Sequence, residues 1–341
     1  MIKTLTSWRG IFALCIVCFH FAMHEFDQMT YAGVTFFFIL SGFLVGRRYD
    51  SIESWKSFYG RRIARIFPLH WLALAGMIVV DLVLMHKFHY GWDLPLHVVL
   101  LQSWVPDETV YYNYSIHSWF LSSMLFCVIA TPLLLKFFAR ISQRITCALM
   151  TVICIAIASA SVIASEQLIS YFYVFPVFRL ADYSLGILLG RAMRNCATPT
   201  LSPIKATAIE LASLVVFAGF IALHASGNSI ALKLENAPLW WIPMLLLIAC
   251  FTMVNGQEGL IGKLLTLRPF IWLGEISFEI YILQKLVNNL FCYAVAPFFG
   301  HFGILIYDYS FACTQPLLLL TGWIVNRWYT RRIYSLSKRN L

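Results

Sequence analysis

Ten apolar runs, most of them close to the length of a bilayer crossing, follow one another along this chain with short polar breaks between. They lie at about 5–25, 30–46, 64–85, 116–138, 147–164, 171–190, 207–225, 238–255, 269–297 and 304–326. A helix needs roughly 20 mostly apolar residues to cross the hydrocarbon core. Inside lipid every backbone N–H and C=O must be satisfied without water, and a helix does this within its own segment. The expected fold is an all-α integral membrane protein of about ten transmembrane helices. It forms one membrane domain over residues 1–341, with spans from about 5 to 326 and no separate soluble domain. Composition agrees: 60% of the residues are hydrophobic and 12% charged, against about 25% charged in soluble domains. So little charge cannot cover a soluble protein of this size, which excludes a cytosolic enzyme, a disordered chain and a nucleic-acid binder.

The basic residues fix an orientation. With the N-terminus inside, 21 of the 25 lysines and arginines fall in cytoplasmic loops or at cytoplasmic span ends. Only Lys87 and Lys233 fall outside, and Arg179 and Lys285 lie within spans. The positive-inside rule therefore places both termini in the cytoplasm. The first run is long, carries Arg9 and His20 and lacks a small-residue cleavage site, so it reads as a retained span rather than a cleaved signal. Run 269–297 is overlong, which predicts tilt, a kink near Pro297 or an end beyond the bilayer. The longest outer segment, about 86–115, holds a short apolar stretch, 95–104, that reads as an interfacial or re-entrant helix. Its Trp92, Asp93, Trp104, Tyr111 and Tyr112 suit either an aromatic belt or the wall of a carbohydrate site. The nine cysteines fall mostly in apolar runs and read as small apolar fillers. Cys15 and Cys18 diverge from His20 on a helix, so no metal site is expected.

Ionisable groups inside spans are costly and mark candidate sites. Arg9 and His20 stand 11 positions apart, which is three helical turns plus about 20° and about 16 Å of rise. They share a face, with Arg9 near the cytoplasmic end and His20 nearer the outside. His24, Glu25 and Asp27 follow at the outer end. Such a stripe offers a cation to an anionic ligand on one side and an imidazole on the other; the alternative is that Arg9 snorkels to lipid phosphate and His20 bonds a neighbouring helix. Six basic residues lie in 47–65, among them Arg61, Arg62 and Arg65, which enter the third span. They read as ordinary topology signals or as a clamp for a polyphosphate such as a nucleotide or coenzyme A. Ser41 and Gly42 interrupt the phenylalanine-rich second span, which suits close helix packing. Arg179 and Asp182 stand three apart and can pair; Glu275 and Glu279 stand one turn apart.

Together these elements resemble the membrane acyltransferase family 3, polytopic O-acyltransferases that modify bacterial surface glycans and related molecules. The arginine, ten residues, then histidine of the first span is matched by Arg9 and His20, and FFFILSGFL with Ser41 matches the second-span motif. RIAR, with Arg62 and Arg65 before Pro68, matches the basic turn. Weaker patterns are matched through Trp119, Arg179, and Ser277 with Tyr281. Two positions depart: Ser123 and Met124 stand where many relatives carry a glutamate, and Gln284 stands where many carry a histidine. The resemblance implies a bacterial inner-membrane enzyme that moves an acyl group, acetyl in the simplest case, from cytoplasmic acyl-CoA to a hydroxyl of an outward-facing carbohydrate or glycolipid. Acyl-CoA is then a substrate, and no cofactor is permanently bound. His20 is implied as the base, with a covalent acyl-histidine as the alternative, and Arg9 and His24 as its companions. Arg61, Arg62, Arg65, Arg9 and Ser41 are implied at the donor, and Glu25, Trp119, Arg179 and Tyr281 at the acceptor. The competing class is a transporter or flippase with Arg9, His20 and Asp182 on its path.

Overall fold

The computed structural model describes residues 2–20, 27–87, 91–194, 200–301 and 310–332. The described residues form helices joined by short turns and loops, with no strand. In chain order the helices are α1 (Lys3–His20), α2 (Asp27–Arg48), α3 (Trp55–Val83), α4 (Leu94–Val99), α5 (Glu108–Tyr111) and α6 (Ser118–Arg140). Then follow α7 (Gln143–Ile163), α8 (Glu166–Val174), α9 (Pro176–Arg194), α10 (Pro203–Ala225), α11 (Ser229–Leu234) and α12 (Pro238–Met253). The chain continues through α13 (Leu260–Leu265), α14 (Arg268–Glu275), α15 (Ser277–Leu290), α16 (Ala296–Gly300) and α17 (Ser310–Val325).

Five of these, α2, α3, α6, α7 and α10, are long and apolar enough to cross a membrane, and the α8–α9 pair raises the number to six if it is one bent span. The described parts of the remaining apolar runs also fall on helices, but on shorter or broken ones. The α8–α9 pair bends by 54°. Its break has a local cause: Phe175 precedes Pro176, and a residue before proline is pushed out of the helical region, here to φ −67°, ψ 124°. At 16 residues, α12 rises only about 24 Å. The overlong run 269–297 divides at Ile276, and its second half widens into a π turn over Phe291–Val295, next to Pro297, which has no N–H to donate.

The chain forms two compact units. The first takes the residues up to Glu53 together with Phe126–Glu275; the second takes Ser54–Leu125 and the residues from Ile276 on. In the first, an aromatic ladder runs from Phe251 through Trp8 and Phe12 to Phe36, with ring centroids 5.7, 5.6 and 4.7 Å apart. Backbones make the closest approach, between α2 and α9. A Cβ on Gly42 would sit 1.9 Å from the Tyr183 carbonyl oxygen, and one on Gly186 would sit 2.0 Å from that of Ile39. Only a residue without a side chain fits there, the small-residue logic of helix pairs in lipid. Gly10 and Gly274 bring α1 and α14 together in the same way.

In the second unit, the segment between α3 and α6 is held by buried polar groups. Asp93 accepts from Asn113 Nδ2 (2.7 Å) and Tyr114 Oη (3.2 Å). His97 Nε2 meets the Val110 carbonyl at 2.8 Å, and His70 Nε2 of α3 meets the His97 carbonyl at 2.7 Å. The apolar stretch expected as one interfacial helix is α4, a left-handed Leu100, and a 3-10 turn over Gln102–Trp104.

Candidate functional site

Helix α1 is unbroken from Lys3 to His20, so Arg9 and His20 do lie on one helix. Arg9 is half-buried, and His20, its last residue, is exposed. His24 and Glu25 lie outside the described residues. Asp27 opens α2 and so does not continue the stripe. Ser41 is half-buried on α2 beside Gly42, at the tight crossing with α9.

Arg179 is 1% exposed, and its own bundle holds its guanidinium. Nε donates to the Tyr173 carbonyl (2.7 Å), Nη1 to Asp182 Oδ2 (2.8 Å) and Nη2 to the Asn236 carbonyl (2.7 Å). Its charge also sits 4.7 Å from the Tyr173 ring centre. The other oxygen of Asp182 accepts from Trp241 Nε1. The pair suggested by the three-residue spacing is therefore formed, and it ties α8, α9 and α12 together at the bend.

The second unit carries the other candidates. Arg61 donates to Ser57 Oγ. Arg62 donates to the Phe58 carbonyl at 3.2 Å, and its guanidinium lies 3.5 Å from the centre of the Phe58 ring. Arg65 is exposed one turn further. The first turns of α3 thus present three cations, one of them laid flat on an aromatic face that fixes its plane. Trp119 is buried, and its carbonyl accepts from Ser103 Oγ at 3.1 Å. Tyr281 is buried too. Its hydroxyl donates to the His117 carbonyl at 3.1 Å, and its ring lies 5.8 Å from that imidazole.

Sequence reasoning passed over three groups. Glu210 is a fully buried acid on α10. Its carboxylate accepts from the backbone N–H of Gly259 (2.8 Å) and Ile261 (3.1 Å), which caps α13 from another helix. Its signal was an acid inside an apolar run. His224 and Glu235 meet at 2.6 Å across α10 and α11; only the fold brings them together. Asn326 donates to Glu279 at 2.9 Å, and neither the run nor the spacing shows that contact.

The comparisons speak to this arrangement as a whole. A model of the acyltransferase domain family matches residues 2–331. Acyltransferase MdmB of Streptomyces mycarofaciens is 28% identical over 225 residues, which are 57% of this chain and 58% of that protein. This chain thus spans somewhat over half the length of that relative. ORF330 of Acidianus two-tailed virus, provisionally named an acetyltransferase, is 22% identical over 298 residues, 84% of this chain and 83% of that protein. No solved structure matches. The family model runs over nearly the whole chain, and the protein belongs to the acyltransferase domain family, the membrane acyltransferase family 3 that its motifs resemble.

Proposed function

We propose that the chain is an acyl-CoA-dependent O-acyltransferase, in the simplest case an O-acetyltransferase, of the bacterial inner membrane. About ten spans with both termini cytoplasmic carry it. The donor is cytoplasmic acyl-CoA, and the acceptor is a hydroxyl of an outward-facing carbohydrate or lipid-linked glycan. The observation that carries the reading is the unbroken α1, which holds Arg9 and His20 on one face, in a chain whose family match runs from residue 2 to 331. The acetyltransferase name of one relative supports a small acyl group.

In this reading, Arg62, Arg65 and Arg61 hold the donor's phosphates, since guanidinium groups bind phosphate oxygens in pairs. Arg9 is a further cation assigned to the donor. His20 takes the proton of the acceptor hydroxyl as its oxygen attacks the thioester carbonyl. The new C–O bond forms, the C–S bond breaks, and the proton passes to the departing coenzyme A thiolate. His24, Glu25, Trp119 and Tyr281 are assigned to the acceptor. Arg179, held by Asp182 and two carbonyls, fixes the α8–α9 bend of the first unit.

The test is His20→Ala in the purified protein. Thioester turnover should fall by at least about a hundredfold, the usual worth of a positioned base. Binding of acyl-CoA, titrated directly, should remain. Turnover near the wild-type rate would remove His20 from the chemistry and move the role to His24.

A further inference from the structure

Glu279 is a buried acid that the proposed chemistry leaves unused. It lies on α15 at 1% exposure. One carboxylate oxygen, Oε1, accepts from Asn326 Nδ2 at 2.9 Å. The amide of Asn326 is in turn oriented by Arg331, whose Nε donates to Asn326 Oδ1 at 3.0 Å. The second oxygen, Oε2, is buried, and no donor among the described residues reaches it. A buried carboxylate oxygen without a donor is costly, and native structures rarely leave one so without a use for it.

The segment that supplies Asn326 is also unusual. Asn326–Thr330 is a π turn at the end of α17, a geometry concentrated at functional sites. The same turn is fastened to the arginine-bearing helix, because Tyr329 Oη donates to the Pro68 carbonyl at 3.2 Å. Along α3, Pro68 lies three residues beyond Arg65 and six beyond Arg62, about 4.5 and 9 Å of helical rise. Within the second unit, Glu279 is thus hydrogen-bonded to a turn whose Tyr329 is anchored on α3 one to two turns past the candidate phosphate clamp.

Oε1 accepts from Asn326, and an acceptor oxygen at Oε2 calls for a ligand that brings an N–H or O–H. The reading of Arg62 and Arg65 as holding the donor's phosphates supplies one. Beyond its phosphates, coenzyme A continues as the pantetheine arm, a narrow chain with two amide N–H groups. Its adenine amine lies on the other side of the phosphates. We propose that Glu279, oriented by Asn326 and Arg331, accepts a hydrogen bond from an amide N–H of the pantetheine arm of the acyl donor. The inference rests on the acyl-CoA reading above and adds the residue that grips the neutral part of that donor.

The experiment compares two donors with the full chain in detergent or nanodiscs: acetyl-CoA, and S-acetylpantetheine, which lacks phosphates and nucleotide. Glu279→Gln keeps the acceptor for Asn326 but places a donor where Oε2 stood. It should raise KM about tenfold for both donors, with kcat within about twofold, as expected for a lost charged hydrogen bond in binding. Arg62→Ala should raise KM for acetyl-CoA alone. If Glu279→Gln fails to assemble, Asn326→Ala should show the same two-donor pattern. A rise confined to acetyl-CoA would put Glu279 at the nucleotide and overturn the assignment. Unchanged KM for both donors with lowered thermal stability would make Glu279 a structural acid and overturn it equally. A wild-type protein that turns over neither thioester removes the donor reading itself, and this inference with it. A working wild type with an indifferent Glu279→Gln removes only the role of Glu279.

Discussion

A guanidinium inside a helix bundle is expensive unless oxygens surround it, and the arginines of this protein meet that demand in two ways. Arg179 meets it permanently, with a carboxylate and two carbonyls at 2.7–2.8 Å. Removing one partner of such a pair strands the other, at about 3–5 kcal/mol. Asp182→Ala should therefore lower thermal stability sharply, and Asp182→Asn less, with donor KM unmoved in whatever folded protein remains. A large donor KM effect in Asp182→Asn, without loss of stability, would return Arg179 to a ligand. Arg62 donates to the Phe58 carbonyl and lies over the Phe58 ring, on the first turns of α3 where the donor's phosphates are proposed to bind. Arg62→Ala should weaken acyl-CoA binding about tenfold or more, and the exposed Arg65 should matter less. The loss should shrink as salt rises, because exposed charges are screened over about 8–10 Å. An unchanged titration would leave both arginines as topology signals. The Arg9–His20 face was legible because one helix sets it. The partners of Glu210 stand 49 and 51 residues away, and no periodicity within one run reports them.

Helices meet here where side chains are missing, and the α8–α9 pair breaks where Pro176 stands. At the crossing of α2 and α9, Gly42 and Gly186 each face a carbonyl oxygen of the other helix at a distance no Cβ could occupy. Gly186→Leu should push the pair apart and destabilise the first unit by about 1–3 kcal/mol or more, as overpacking does. A melting temperature equal to the wild type's would contradict that packing. The segment between α3 and α6 in the second unit offers a pH test. Burial is the main reason His97 protonates less readily than an ordinary imidazole; its contact with the Val110 carbonyl and Asp93, 3.9 Å away, pull the other way. The folded form therefore binds a proton more weakly than the unfolded one. That stability is present above the ordinary value of 6.5 and is lost as pH falls below it. Protection factors over 94–112, which remove the base-catalysed intrinsic exchange rate, should fall as pH drops below about 6.5, and His97→Gln should flatten that response. Protection factors independent of pH would remove His97 from the latch.

For the whole molecule, the expected consequence is sidedness. The basic loops and the aromatic-rich segment 86–115 are assigned by charge to opposite faces. The Arg9–His20 stripe covers about 16 Å of the roughly 30 Å hydrocarbon core. In sealed proteoliposomes of known orientation, acyl-CoA at the basic face and a membrane-impermeant acceptor at the other should yield acylated acceptor without acyl-CoA leakage. Product formed only when both substrates share the basic face would rule out transfer across the membrane, though not acyl transfer. The sequence alone determined that this chain is helical and membrane-embedded, because ten apolar runs leave the backbone no other way to satisfy its hydrogen bonds. It also determined that Arg9 and His20 share a face, because 3.6 residues per turn fixes angles within any one helix. The tertiary structure decided where runs break, as at Phe175 and Ile276. It also decided which buried charges are matched at home and which are left one partner short. Among the described residues, Arg179 found Asp182, Tyr173 and Asn236, whereas Glu279 found Asn326 for only one of its oxygens. Those outcomes depend on groups from different helices meeting within about 3 Å, a distance that spacing along one helix does not encode.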